Sequence, residues 1–203
     1  RVLEQVNVTQ RRRADERRVA IQNELLPRDQ PLRDLEPSVL HGVLDQARAE
    51  PRDHADGDNR DEPTDVRILF IGDIFAKSGR DIARRAIPAV VERHQIDFVI
   101  ANVENSAAGF GVTGDIADTI LEFGVDVMTS GNHVWDKKEV LDYLPRQPKL
   151  LRPANFPAGV PGRGSYVGRT RTGEPVGVIN LMGRIFMTPL DDPFALAVRE
   201  IES

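Results

Sequence analysis

Three short apolar runs recur between residues 67 and 129, each followed by a helix-patterned stretch, and this alternation constrains the fold more than any other feature of the chain. The first run is Arg67–Ile71, closed by Gly72-Asp73. Ser78-Gly79-Arg80-Asp81 then opens a helix with Ile82, Ala83, Ala86, Ile87, Val90 and Val91 on one face, in which Pro88 marks a kink or a break. The second run, Phe98–Val103, ends at Glu104-Asn105. A helix over Thr113–Phe123 follows, with Thr113 as N-cap and Gly124 as the stop. The third run, Val125–Thr129, leads into Ser130-Gly131-Asn132-His133. A further helix is expected over Trp135–Leu144, with Asp136, Lys137, Lys138 and Glu139 on its wet side. Leu150-Leu151 and Val176–Leu181 read as additional strands, and a last helix starts near Pro193. Strands alternating with helices predict an α/β domain built on a mostly parallel sheet.

Ligands of an open parallel sheet gather outside the C-terminal ends of its strands. Three clusters fall at that edge: Asp73, Glu104-Asn105 and Asn132-His133. Taken singly, each has an ordinary reading. Asp73 is a turn aspartate, Glu104 pairs with a nearby arginine, and His133 is a satisfied surface or core histidine. Taken together, in order along three strands, carboxylate, amide and imidazole donors suit a hard or borderline metal such as Mn, Fe or Zn. Glu104 can bridge two metals, Asn105 can bind metal or hold a water or phosphate oxygen, and His133 can protonate a leaving oxygen. The small residues Ser106-Ala107-Ala108-Gly109-Phe110-Gly111 beside Glu104 suit a loop near a substrate. Other nucleotide and hydrolase signatures are missing. There is no G-x-G-x-x-G, no G-x-x-x-x-G-K-[ST] and no G-x-S-x-G. His41, His54 and His94 show no ligand spacing.

Composition narrows the classes. A net charge of −5 argues against a general DNA or RNA binder, while a metal would still allow a nucleotide substrate. The absence of cysteine removes disulfides, thiolate zinc sites and thiol catalysis, and fits a cytoplasmic setting. No apolar run reaches the ~18–20 residues of a membrane helix, so no membrane association is expected. Residues 1–50 form a charged helical extension of unknown role, with Arg11–Arg18 leading into Val19, Ile21, Leu25 and Leu26, and a second short helix from Pro37 to Ala49. Residues 51–66 read as an acidic disordered linker; the spacing of Asp53, Asp56 and Asp58 is an incomplete calcium-loop pattern. The chain starts at Arg1 and stops at Ser203 within a helical pattern, so both ends are expected to be cuts.

The motifs Phe70-Ile71-Gly72-Asp73, Gly79-Arg80, Glu104-Asn105-Ser106-Ala107, Gly131-Asn132-His133-Val134-Trp135-Asp136-Lys137-Lys138 and Arg152-Pro153-Ala154-Asn155-Phe156-Pro157 carry a resemblance. Val178–Arg184 and Pro189–Phe194 continue it. Over about residues 67–203 the chain resembles the YmdB-like metallophosphoesterases of bacteria. The resemblance implies a calcineurin-like αββα sandwich with two metal ions, commonly iron or manganese. It implies hydrolysis of phosphodiesters, with 2′,3′-cyclic nucleotides the usual substrates and a metal-activated hydroxide attacking phosphorus. It implies that Asp73 binds one metal, Glu104 bridges or contacts both, and Asn105 is a further ligand or positions water. Asn132 would bind the second metal, and His133 would be the general acid or contact the phosphate. It leaves homo-oligomerisation open.

One departure bears on activity. The family completes its metal site with three later histidines, two of them in a His-x-His loop, and no histidine follows His133 here. The expectation is therefore an N-terminal half of the domain, truncated at its C-terminus. Its second metal site would be incomplete and its second sheet largely missing, and the chain alone would be weak or inactive. The alternatives are a non-catalytic remnant that binds a nucleotide or partner, and an interaction module at residues 1–50 tethered to a degenerate domain.

Overall fold

The computed structural model describes residues 66–202 together with a two-residue strand at Asn7–Val8. The helices expected within residues 1–50 and the acidic linker up to residue 65 lie outside the described residues. In chain order the elements are β1 (Asn7–Val8), β2 (Ile68–Ile71), α1 (Ala76–His94), β3 (Phe98–Asn102), α2 (Gly114–Glu122), β4 (Val127–Thr129), α3 (Val140–Tyr143), β5 (Ser165–Arg169), β6 (Pro175–Asn180) and α4 (Pro193–Glu202). Mixed α/β architecture with a parallel sheet is thus what the chain adopts.

β2, β3 and β4 form that sheet, with β3 in the middle. The three runs legible in the sequence are its three strands. β3 is buried along its whole length, which is why it reads as a continuous apolar run rather than an alternating one. Its alternate residues serve two different cores. Val99 and Ala101 join Ala83, Ile87, Ala117 and Ile120 of the flanking helices. Phe98 and Ile100 join Val176 and Val178 of β6, with Tyr166 of β5 packed against them. β6 repeats the device: Ile179, with Leu181 just beyond the strand, packs with Leu196 and Ala197 of α4. The layers therefore run helices, parallel sheet, second sheet, helix. That second sheet is antiparallel in the order β1-β6-β5. Among the described residues it has three strands, one of them only two residues long. β5 gave no strong signal because Ser165-Tyr166-Val167-Gly168-Arg169 is nowhere fully buried and so need not be apolar.

Two helices differ from expectation for physical reasons. α1 starts at Ala76, before Ser78, because backbone bonds anchor its entry: Ala76 N–H donates to the Asn105 carbonyl (2.9 Å) and Gly79 N–H to that of Phe75 (2.9 Å). It continues through Pro88 to His94. Pro88 and Arg84, whose carbonyl loses its helical partner, both lie on the exposed face, where the carbonyl is open to solvent. The helix expected over Trp135–Leu144 shrinks to Val140–Tyr143. Before it the chain makes successive turns closed by bonds to the third residue back: Val134 to Gly131, Asp136 to His133 and Val140 to Lys137. Leu150 and Leu151 form only isolated parallel bridges, to Met128 and Arg163 respectively.

Parallel pairing sets the edge that matters. Ile71 pairs with Ala101, and Asn102 with Thr129. Asp73, Glu104 and Asn132 each follow their strand by two or three residues, so they emerge side by side. Among the described residues no helix is long and apolar enough to cross a membrane.

Candidate metal centre

Asp73, Glu104, Asn105 and His133 come together at this edge. The Asn105 side-chain amide donates to Asp73 Oδ2 (2.8 Å), tying the loop after β3 to the turn after β2. Asn105 is 8% exposed and holds its place by backbone as well, its carbonyl accepting from Ala76 and Gly109. Glu104 is 2% exposed. Its Oε2 accepts the backbone N–H of His133 (3.2 Å), and its own N–H donates to Asn102 Oδ1 (3.3 Å). Asn132, half-buried, lies between Gly131 and His133, both of which face the Glu104 carboxylate. A methyl group at Gly131 would stand 2.5 and 2.6 Å from the two Glu104 oxygens, so the glycine is needed for room.

Electrostatics point the same way. Burial pushes the Glu104 carboxyl above its ordinary 4.5; the His133 N–H opposes this and the charge of Asp73 adds to it. Asp73 is exposed as a residue, yet its carboxyl end meets Asn105 and lies within electrostatic reach of Glu104. Desolvation there outweighs the Asn105 hydrogen bond and the attraction of His133, and its pKa rises above 3.8. Two neighbouring carboxylates that each resist ionisation form a site that a cation would relieve.

The donor set tests which cation would fit. Carboxylate and amide oxygens with one imidazole are hard to borderline donors, suited to Mn, Fe, Zn or Mg. The fit is partial. Among the described residues no three His, Cys, Asp or Glu side chains stand close enough to hold a metal ion by themselves. The cluster has two carboxylates, and the rest of its oxygen donors are neutral amides.

His133 is held as a proton-transfer residue would be. Its Nδ1 lies 2.7 Å from Asp136 Oδ2, which leaves Nε2 as the other ring nitrogen for a ligand. The ring also meets Phe110 edge to face, with centroids 5.1 Å apart. Sequence reasoning missed both partners. It placed Asp136 on the wet side of a helix and read the Phe110 loop as one near a substrate without pairing Phe110 with His133. The three-residue spacing of His133 and Asp136 was the available signal, and it pairs side chains in a turn as well as in a helix.

A parallel α/β sheet here carries carboxylate, amide and imidazole groups at its ligand edge, and the proteins the chain is similar to are named as phosphodiesterases and phosphatases. More narrowly, the chain belongs to the YmdB-like protein family, whose model matches residues 69–203. It is 47% identical over 133 residues to the 2′,3′-cyclic-nucleotide 2′-phosphodiesterase of Bacillus subtilis (strain 168), covering 65% of this chain and 50% of that protein. Among solved structures it is similar to a hypothetical protein from Thermus thermophilus. There the TM-score is 0.61 at 39% identity, covering 68% of this chain and 53% of that one. It is also similar to a novel phosphatase from Mycoplasma pneumoniae, with a TM-score of 0.60 at 28% identity, covering 68% and 50%. The chain spans about half the length of the curated relatives it matches.

Proposed function

We propose that residues 67–203 carry the N-terminal part of a calcineurin-like αββα metallophosphoesterase, with residues 1–50 and 51–66 as an extension and linker outside the chemistry. The reaction is hydrolysis of a 2′,3′-cyclic nucleotide. Asp73, Glu104, Asn105 and Asn132 would hold the metal, iron or manganese, with Glu104 central because it is the most buried. When bound, such ions supply positive charge for the phosphoryl oxygens and acidify water. The chain's own residues do the rest. Asn105, bonded to Asp73, orients that carboxylate. The Asp136 carboxylate holds the His133 ring through Nδ1, which leaves Nε2 for proton transfer. Water gives up a proton to solvent as its oxygen attacks phosphorus, the P–O2′ bond breaks, and the departing O2′ would take a proton from His133 Nε2, which solvent then restores. The product is a 3′-phosphomonoester.

The observation that carries this reading is the buried Glu104 carboxylate, bonded to the His133 N–H, at a strand end next to that of Asp73, which Asn105 holds, beside an Asp136-held histidine. Sparse donors predict weak Mn²⁺ binding and slow opening of 2′,3′-cyclic AMP by the 203-residue chain. Glu104→Gln should lower Mn²⁺ affinity about tenfold or more, since it removes the buried charge that a cation neutralises. Equal Mn²⁺ affinity in that variant would sink the metal assignment. Fast turnover by the chain itself would sink the prediction of weak activity. The absence, among the described residues, of three His, Cys, Asp or Glu side chains arranged to hold a metal ion favours one second reading, a nucleotide-binding remnant. Tight nucleotide binding without metal would support it instead.

A further inference from the structure

We propose that Phe110 is a stacking platform for the nucleobase of the substrate, with Phe75 bracing the loop that presents it; this rests on the phosphoester reading of the neighbouring site. Phe110 is 57% exposed although its ring touches His133. A large aromatic ring left in water beside a polar site forgoes the burial it would otherwise gain. The loop does not hold it there by chance of flexibility. Ala108, Gly109 and Gly111 all take positive φ, at 57°, 96° and 78°. Backbone bonds close the loop from Gly109 to Asn105, from Phe110 to Ala107 and from Ala107 to Gly111. The Arg80 guanidinium donates to the Ser106 carbonyl at its base. Phe75 lies directly against Gly109: a methyl group there would stand 2.9 Å from the Phe75 ring. Phe75 is itself 49% exposed. Two open rings thus sit on either side of one glycine, on a loop that begins at the candidate ligand Asn105.

The chemistry of the substrate matches this layout. In a ribonucleoside 2′,3′-cyclic phosphate the base is carried on C1′, next to the carbon that carries one phosphoryl oxygen. A phosphate held between Asp73, Glu104 and His133 therefore brings its base to within about a ribose width of His133, and the Phe110 ring centre lies 5.1 Å from the His133 ring centre. Stacking accepts any base, so the platform would raise affinity for nucleosides over simple diesters without choosing among bases.

The test uses the full chain with Mn²⁺ and two probes. One is 2-aminopurine riboside 2′,3′-cyclic phosphate, whose fluorescence falls when its base stacks. The other is ethylene phosphate, the same five-membered cyclic diester without ribose or base, followed by calorimetry. Wild type should bind the first probe with quenching. Phe110→Ala and Phe110→Leu should both lose about tenfold or more in affinity and most of the quenching. Phe110→Trp should keep both, and ethylene phosphate should bind all four proteins alike. Unchanged affinity and quenching in Phe110→Ala would overturn the platform. So would a parallel loss of ethylene phosphate, because the ring would then only shape the phosphate site. If wild type binds ethylene phosphate as well as the nucleotide, the platform fails and the phosphoester reading stands. If wild type binds neither probe, the phosphoester reading falls and the platform with it.

Discussion

Gly131 shows how one residue can decide whether a site exists. It has no need of an unusual backbone angle; what it provides is space, because any Cβ would strike both oxygens of Glu104. Glu104 is almost wholly buried and already fixed by the His133 N–H, so its carboxylate must leave its position to admit a methyl group. Gly131→Ala is expected to keep the fold, by circular dichroism, and to lower Mn²⁺ affinity about ten- to a hundredfold, the usual cost of disturbing what orients a ligand. An alanine variant that binds Mn²⁺ like wild type would show that Glu104 is no ligand. At this scale the sequence was informative about residue types and less so about their partners. Asp73, Glu104, Asn105 and His133 announced themselves by following apolar runs. The Asn105–Asp73 bond and the Phe110–His133 contact join residues 32 and 23 positions apart. No local pattern encodes such pairs, since loop paths between strands decide them.

Elements were legible in proportion to how much of their surface is buried. β3, covered on both faces, spelled itself out as Phe98-Val99-Ile100-Ala101-Asn102. β5 did not, since edge placement frees it from apolar pattern. α2 was legible at both ends because its caps are chemical. The Thr113 hydroxyl accepts the Ile116 N–H (3.2 Å), and Gly124 takes φ 98° just past the end. Thr113→Ala should therefore cost about 1 kcal/mol, read as a thermal midpoint lower by about 3 °C. A midpoint within a few tenths of a degree of wild type would mean that the cap bond contributes nothing. The turns over residues 132–139 misled because their composition suits a helix. Their conformation is set from outside: a Cβ on Gly111 would lie 3.2 Å from the Lys137 backbone nitrogen, so another loop is pressed against this stretch. The His133–Asp136 pair then closes one of those turns.

For the whole molecule, the candidate site is a local cost that a ligand would reverse, and pH exposes it. Asp73 and Glu104 both have folded pKa values raised above 3.8 and 4.5. A raised carboxyl means the native state holds its proton more tightly than the unfolded chain does. The associated stability is fully present below the ordinary values and is lost as pH rises through the raised ones. The lowered pKa values of Asp81, beside Lys77, and of Asp192, which accepts N–H bonds from Ala195 and Phe194, act in the opposite sense. Both side chains are nearly half exposed, where solvent screens them, and a variant comparison cancels them. Metal-free wild type should therefore lose thermal stability, as pH rises above the ordinary carboxyl range, relative to the Asp73→Asn/Glu104→Gln double variant, which has no such carboxyls to ionise. Mn²⁺ competes with protons for the same oxygens, so it should stabilise wild type at about pH 7.5 and hardly at about pH 4.5, and leave the double variant unchanged at both. Parallel pH curves for the two proteins would remove the electrostatic basis of the site. Equal stabilisation of both by Mn²⁺ would place the cation elsewhere on the molecule.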